Sequence, residues 1–560
     1  MGAVLSLFTT LGVAIKVLLE ANRGLQEVLQ RASQAPGLPN PKPTDSYWLD
    51  EPPYPELVDA QSKVLPGEAD IIIIGSGITG AAVAWSILQQ HRQDEAVPGA
   101  TPADNRDDGG RPTPQHQRAP RIVVLEARAL CSGATGRNGG HIKPSPQETF
   151  ADFKDKLGPS RAAEIARFQL RHVEMLPELC AHQGWDVAEC RKVQTCDLYI
   201  DAKDRDKSFA RVRELKQWVP ELNIDCLDEK QAQEKSIIRQ TLHVNGFVKG
   251  AISYTAGALW PFRFVSSVWK SLLEDFPEHV SLETHTTVTS VSASSPAAGY
   301  TYEIETTRGR IQCNHVVHAT NAFAGQYVPA FRGKLTGALA HMTAQRPGKK
   351  FPYRNGEQSW SLIYEDGFDY TTQRPAGPDG QPGDIMYGGG LNRGAKQGMS
   401  AFGVWDDSIV DPLPMAHLGG SLPAIFEPNW GPDAEEGRVK KSWTGIIAAT
   451  GDWLPFVGRL DPKLTGRRGD SPRGNARQKD AATVSPGEWV SAGYCGEGMV
   501  YAWLCGTALG IMISGAEHQD LPAAPGRPAG KVMDWLPREL LATPQRIKKA
   551  GLEGLAEKFA

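Results

Sequence analysis

The chain has 560 residues, 40% hydrophobic and 22% charged, with a formal net charge of -4. That length exceeds what one core usually organises, so two domains are expected, and the composition excludes disordered and collagen-like classes. The slight negative charge, with no basic run interleaved with aromatics, argues against nucleic acid as a partner.

The N-terminal 65 residues are expected to form a helix followed by an extended Pro-rich arm from Pro36 to Pro55. The run Ala3 to Leu19 is apolar but short for a membrane span, and Lys16 interrupts it. It lacks a basic n-region and a small-residue cleavage site, so a secretory signal is a poor match and a cytoplasmic location is expected. Met1-Gly2-Ala3-Val4-Leu5-Ser6 fits the N-myristoylation pattern, which with the apolar run offers peripheral membrane contact. The other reading packs Leu18, Leu25 and Leu29 on the body of the protein. Eight cysteines form no CxxC pair, which fits free thiols in a reducing compartment and gives no zinc pattern; no metal is expected.

Ile71-Ile72-Ile73-Ile74 reads as a strand entering the turn Gly75-Ser76-Gly77-Ile78-Thr79-Gly80, and Ala81 to Gln90 as the helix after it. Gly75 permits the tight turn, Gly77 lets backbone approach a pyrophosphate, and Gly80 lets helix pack closely on strand. The acidic residue that would hold an adenosine ribose is Glu126, ending the strand Arg121 to Leu125, but it lies 46 residues past Gly80. Residues 92–119 are rich in Pro, Gly, Asp and Gln and read as a surface insertion. Removing those 28 residues leaves a spacing of 18, close to the usual ~20. An acidic residue there disfavours a 2'-phosphate.

The loop after this strand, Ala127-Arg128 and then Ser132-Gly133-Ala134-Thr135-Gly136-Arg137-Asn138-Gly139-Gly140-His141, carries small residues where backbone would run against a cofactor. It resembles the second cofactor loop of the D-amino-acid oxidase-like flavoproteins, whose members include sarcosine, glycine and gamma-glutamylputrescine oxidases. Three further stretches carry the likeness across residues 66 to 535. Ser281 to Ala293 reads as a strand centred on Val288, whose backbone contacts adenine in the family. Val316 to Ala322, containing Ala319 and Thr320, is similar to the strand and turn that return to the cofactor. Gly493-Tyr494-Cys495-Gly496-Glu497-Gly498-Met499 is similar to the final flavin loop, where many relatives have histidine at the position of Glu497.

The resemblance implies an α/β fold in which a Rossmann-like FAD-binding domain of the glutathione-reductase type is interleaved with an antiparallel-sheet substrate domain. The FAD-binding parts are expected at 66–150, 250–330 and 441–535, with a second insertion at 465–483. The substrate domain is expected at 151–249 and 331–440, and a C-terminal helix at 536–560. The implied reaction is oxidation of a C–N bond of an amine or amino acid by hydride transfer to flavin N5, with oxygen as acceptor and hydrogen peroxide as product. His141, Tyr370, Gln373 and Arg374 are the candidates to line the substrate space, Arg374 being able to pair a carboxylate. The absence of cysteine from 440–446, where some relatives tether flavin, points to non-covalent FAD, with a histidine link through His141 as the alternative. Other readings stay open: a flavin dehydrogenase or biosynthetic oxidase with another acceptor or bond, a non-catalytic membrane-associated flavoprotein, and an NAD-dependent dehydrogenase.

Overall fold

The computed structural model describes residues 23–24, 26–95, 118–228, 244–295, 299–351, 353–365, 367–378, 380–467 and 483–558. Gly2, the apolar run to Leu19, Leu25, most of both expected insertions, and Phe559-Ala560 lie outside the described residues. Among the described residues no helix is long and apolar enough to cross a membrane.

The strand Glu68–Ile74 is central to the first sheet, flanked in parallel by Gly309–His318 and Ile122–Leu125. Gly487–Ala492 and Val280–Glu283 extend the parallel order on either side, and Phe456–Arg459 closes one edge antiparallel. Ile71 to Ile74 are buried, as a strand covered on both faces requires, and this explains an apolar run without alternation. The helix Ile78–Glu95 follows the glycine turn. Ala502–Ile513 packs on it so closely that a Cβ on Gly506 would lie 2.7 Å from that of Ala82, and one on Gly510 2.7 Å from that of Ser86.

The second sheet runs Val439–Thr450, Leu335–Gln345, Ile385–Gly389, Gly367–Gln373, Gln358–Tyr364, Arg191–Tyr199, Gly250–Ala258, His141–Ile142. Its pairs are antiparallel except Gln358–Tyr364 with Arg191–Tyr199. Helices Pro146–Leu157, Pro159–Gln183 and Ala202–Trp218 lie in the chain between strands of this sheet.

Three expectations need correction. The strand read across Ser281 to Ala293 is two strands, Val280–Glu283 and Val288–Ala293, because the chain turns at His285, whose φ is 50°. The C-terminus is no single helix: Val532–Trp535, Pro544–Lys549 and Leu552–Lys558 are short pieces, with Pro537 and Pro544 interrupting continuity. The chain also changes sheets away from the expected boundaries, since His141–Ile142, Gly250–Ala258 and Val439–Thr450 all belong to the second sheet.

Candidate active site

A cleft follows the carboxyl ends of the first sheet's strands, the position where open α/β sheets take their ligands. It begins at Glu126, Ala127, Arg128 and Val288, passes Gly75, Gly77, Ile78 and Thr79, and reaches Gly133, Ala134, Thr135 and Asn138. Ala319 and Thr320 form one side, and Gly496, Gly498 and Met499 close the far end. Seventeen residues expected from the sequence thus share one wall system.

The glycines there are sterically required. Gly75 has a φ of 109°, and a Cβ on it would sit 2.6 Å from the Ala319 carbonyl oxygen. A Cβ on Gly77 would sit 2.8 Å from Thr135 Oγ1, the atom that accepts the Ile78 amide at 3.1 Å. Glu126 Oε2 accepts the Ser76 amide at 3.1 Å and its hydroxyl at 2.7 Å, and Oε1 accepts the Arg128 amide at 3.1 Å. This carboxylate is held at the end of its strand facing the cleft, where ribose hydroxyls would donate to it.

The remaining sequence candidates support the walls from behind. Ser76 is buried and accepts the Cys131 amide through its hydroxyl at 2.8 Å. Gly80 packs on the Gly75 carbonyl, Gly140 on the Leu259 carbonyl and Trp48, and Gly493 on Thr450. Ser132 contributes its carbonyl to Arg128 and Arg137. Glu497 is turned toward Gln169, whose amide donates to it at 2.7 Å. The Val288 carbonyl accepts the Tyr327 hydroxyl at 2.9 Å.

Sequence reasoning missed a buried charge cluster along one wall of the cleft. Asp407, buried, pairs with Arg128 at 3.0 Å and with Arg137 at 3.3 Å. The arm crosses here: Pro39 lines the cleft, the Asn40 carbonyl accepts from Arg128, and Thr44 accepts from Arg137. Ser46 donates to the Gly136 carbonyl at 2.7 Å, and the Trp48 indole donates to the Asn138 carbonyl at 2.5 Å. Burial lowers the Arg137 guanidinium to about 10, against the opposing pull of Asp407. No local motif announces Asp407; only its partners, 279 and 270 positions earlier, give it meaning.

The four substrate-space candidates fall into two groups. Tyr370 stands against Gly139, where an added Cβ would collide with its ring, and its hydroxyl donates to Met342 Sδ at 3.2 Å. His141 is buried with Nε2 2.9 Å from Ser359 Oγ; burial, with Lys143 and Arg191 adding to it, pushes the imidazole well below its ordinary range. Gln373 is buried and its amide donates to the Gly383 carbonyl, which ties the hairpin tip. Arg374 differs from expectation: Glu189 holds it by two bonds of 2.6 and 3.2 Å, and its guanidinium lies 4.3 Å from the Trp260 ring centroid. An arginine so paired is a brace between the arm and the second sheet rather than an open carboxylate anchor.

A two-layer fold with glycine loops converging on one cleft over parallel strand ends is the architecture of a dinucleotide-binding oxidoreductase. The family model for DAO, FAD dependent oxidoreductase, matches residues 70–510, and the chain belongs to that family. It is an FAD-dependent enzyme. Among solved structures it is similar to L-amino acid deaminase from Proteus vulgaris, with a TM-score of 0.55 at 13% identity, covering 87% of this chain and 100% of that one. Glycine oxidase from Geobacillus kaustophilus gives 0.54 at 14% identity, covering 84% and 98%. L-proline dehydrogenase from P. horikoshii gives 0.53 at 18% identity, with the same coverage. At such identities these likenesses speak to fold. No curated protein matches the chain significantly.

Proposed function

We propose that the protein oxidises the C–N bond of a small amine or amino acid to an imine, with oxygen as acceptor and hydrogen peroxide as product. The observation that carries this reading is the meeting of the second cofactor loop with the second sheet. Tyr370 packs on Gly139, and the Trp443 indole donates to the Arg137 carbonyl at 2.8 Å. A substrate held between them would lie against the reacting end of the cleft.

The Gly75–Thr79 turn, Glu126, the 133–138 loop and Gly496–Met499 would hold FAD, which would supply the hydride-accepting and electron-carrying chemistry. We propose that it is bound non-covalently. Burial, reinforced by the Asp369 charge, pushes the Tyr370 phenol up to about 12, so it stays protonated at neutral pH and serves as a hydrogen-bond donor. The buried, neutral His141 fixes Ser359 behind this surface. The chain's part is to orient a neutral amine and exclude water, with no dedicated base required. We further assign the apolar N-terminal run to peripheral membrane attachment.

The test is an anaerobic absorption spectrum of the purified holoenzyme before and after secondary amines, amino acids and polyamines. Bleaching of the flavin bands by one class, with peroxide on admitting air, is expected. Bleaching without peroxide overturns oxygen as the acceptor, and flavin that no amine reduces overturns C–N oxidation.

A further inference from the structure

Leu38, Ile409, Val410 and Leu413 are exposed by 44%, 46%, 45% and 53%. They lie along one ridge. The Asn40 amide donates to Asp406 at 3.0 Å and to Ser408 at 3.1 Å, which sets the segment carrying Leu38 beside 406–409. Ile409 and Val410 form the rim of a second, mainly apolar cleft together with Leu391, Ala395, Ala401 and Pro414.

The first described residues pack on this same wall. Lys396 pairs with Glu27 at 2.8 Å, and Arg31 donates to the Phe402 carbonyl at 2.8 Å. The chain therefore enters the described structure, at Arg23, over the segment that borders the ridge. Ahead of it, twelve of the seventeen residues from Ala3 to Leu19 are Ala, Val, Leu, Ile or Phe, and Lys16 is the one charge. Wound as a helix, that spacing would gather Ser6, Thr9 and Lys16 on one side and leave apolar residues over the rest, a wider face than the ridge could cover. The run is also short for a span. A bilayer surface satisfies both the run and the ridge, and Arg23 and Lys396, two cations sharing the one carboxylate of Glu27, leave with the exposed Lys42 a positive charge that suits anionic headgroups.

We propose that the protein lies on an anionic bilayer with Leu38, Ile409, Val410 and Leu413 inserted at headgroup level beside the N-terminal run. This rests on the peripheral attachment proposed above and is independent of the oxidation chemistry. Long apolar side chains that water meets in the free protein become buried on docking, and this contributes the binding free energy.

Flotation of the full-length holoenzyme with vesicles of phosphatidylcholine and phosphatidylserine tests it. The combined variant Ile409→Ser, Val410→Ser, Leu413→Ser is expected to lose about tenfold or more in partitioning, with flavin absorbance and Tm unchanged because these side chains are exposed. Trp218→Ser, on an exposed site of another helix, leaves partitioning as it was. Ile409→Trp gives a blue-shifted emission on adding vesicles. If the full chain floats and the triple variant floats equally well, the ridge assignment is overturned while N-terminal attachment stands. Should the full chain not float at all, the attachment itself fails. Vesicle binding that appears only after deleting residues 1–22 would mean that the run covers the ridge, which also overturns the proposal.

Discussion

Asp407 is the residue on which one wall of the cleft depends. It neutralises two buried guanidiniums that approach from one loop. Removing one partner of a buried charge cluster leaves the others uncompensated, so Asp407→Ala is expected to cost about 3–5 kcal/mol by urea unfolding, with Asp407→Asn costing less. Gly75 is fixed by backbone geometry: with its φ of 109° and the Ala319 carbonyl opposite, Gly75→Ala is expected to destabilise by about 1–3 kcal/mol and lower the flavin content of purified protein. Glu488 gives a pH signature. Burial alone would raise its carboxyl, but hydrogen bonds with His318 and Arg467 prevail and hold it at about 2, against an ordinary 4.5. A depressed carboxyl stabilises the fold above its unfolded value and loses that contribution as pH falls toward the folded one. Wild type and Glu488→Gln should therefore differ most at neutral pH and converge between about pH 5 and 2, by roughly 3 kcal/mol in unfolding free energy. A constant difference across that range would remove the carboxylate from the explanation.

At the scale of elements, the arm from Pro39 to Trp48 is a strap rather than a linker. Its hydrogen bonds reach the Gly136 and Asn138 carbonyls of the cofactor loop, while Tyr47 donates to Asp384 at 2.7 Å beneath the second sheet's hairpin. Trp48 contributes most to this attachment, since its ring is buried against Gly140 and Trp260. Trp48→Ala is expected to cost about 3–5 kcal/mol and to speed flavin release, measured as the rate of fluorescence recovery on dilution. A variant that unfolds more easily but releases flavin at the wild-type rate would make the strap a packing element only. Arg374 belongs to the same system. Because Glu189 and Tyr47 hold it, Arg374→Ala should alter KM for amines and amino acids alike; a selective loss of carboxylate-bearing substrates would restore it as their anchor.

The two sheets meet along the cleft, with the loop Thr135–Gly140 between them. A ligand filling that seam binds the folded state alone, so removing FAD is expected to lower Tm, and re-adding it at about a thousandfold its Kd should restore roughly 4 kcal/mol. A melting temperature unaffected by flavin would place the cofactor outside the seam.

How much of this was readable beforehand follows the range of the interactions. The glycine turn, Glu126 and the final loop were legible because strand, turn and helix are contiguous, and because the geometry of each glycine is a local steric demand. Even the 46-residue gap before Glu126 resolved once its composition marked an insertion. The roles of Arg374, Glu497 and Asp407 were not legible. Each is set by a partner 185, 328 or 279 positions away, and a charge in isolation carries no mark of which charge it will meet. The sequence by itself determined the family, the glycine turn and the central parallel strand, through local backbone constraint and apolar patterning. Only the tertiary structure decided that the arm lines the cleft and that Arg374 pairs with Glu189, because burial and long-range pairing exist only once the chain has closed on itself.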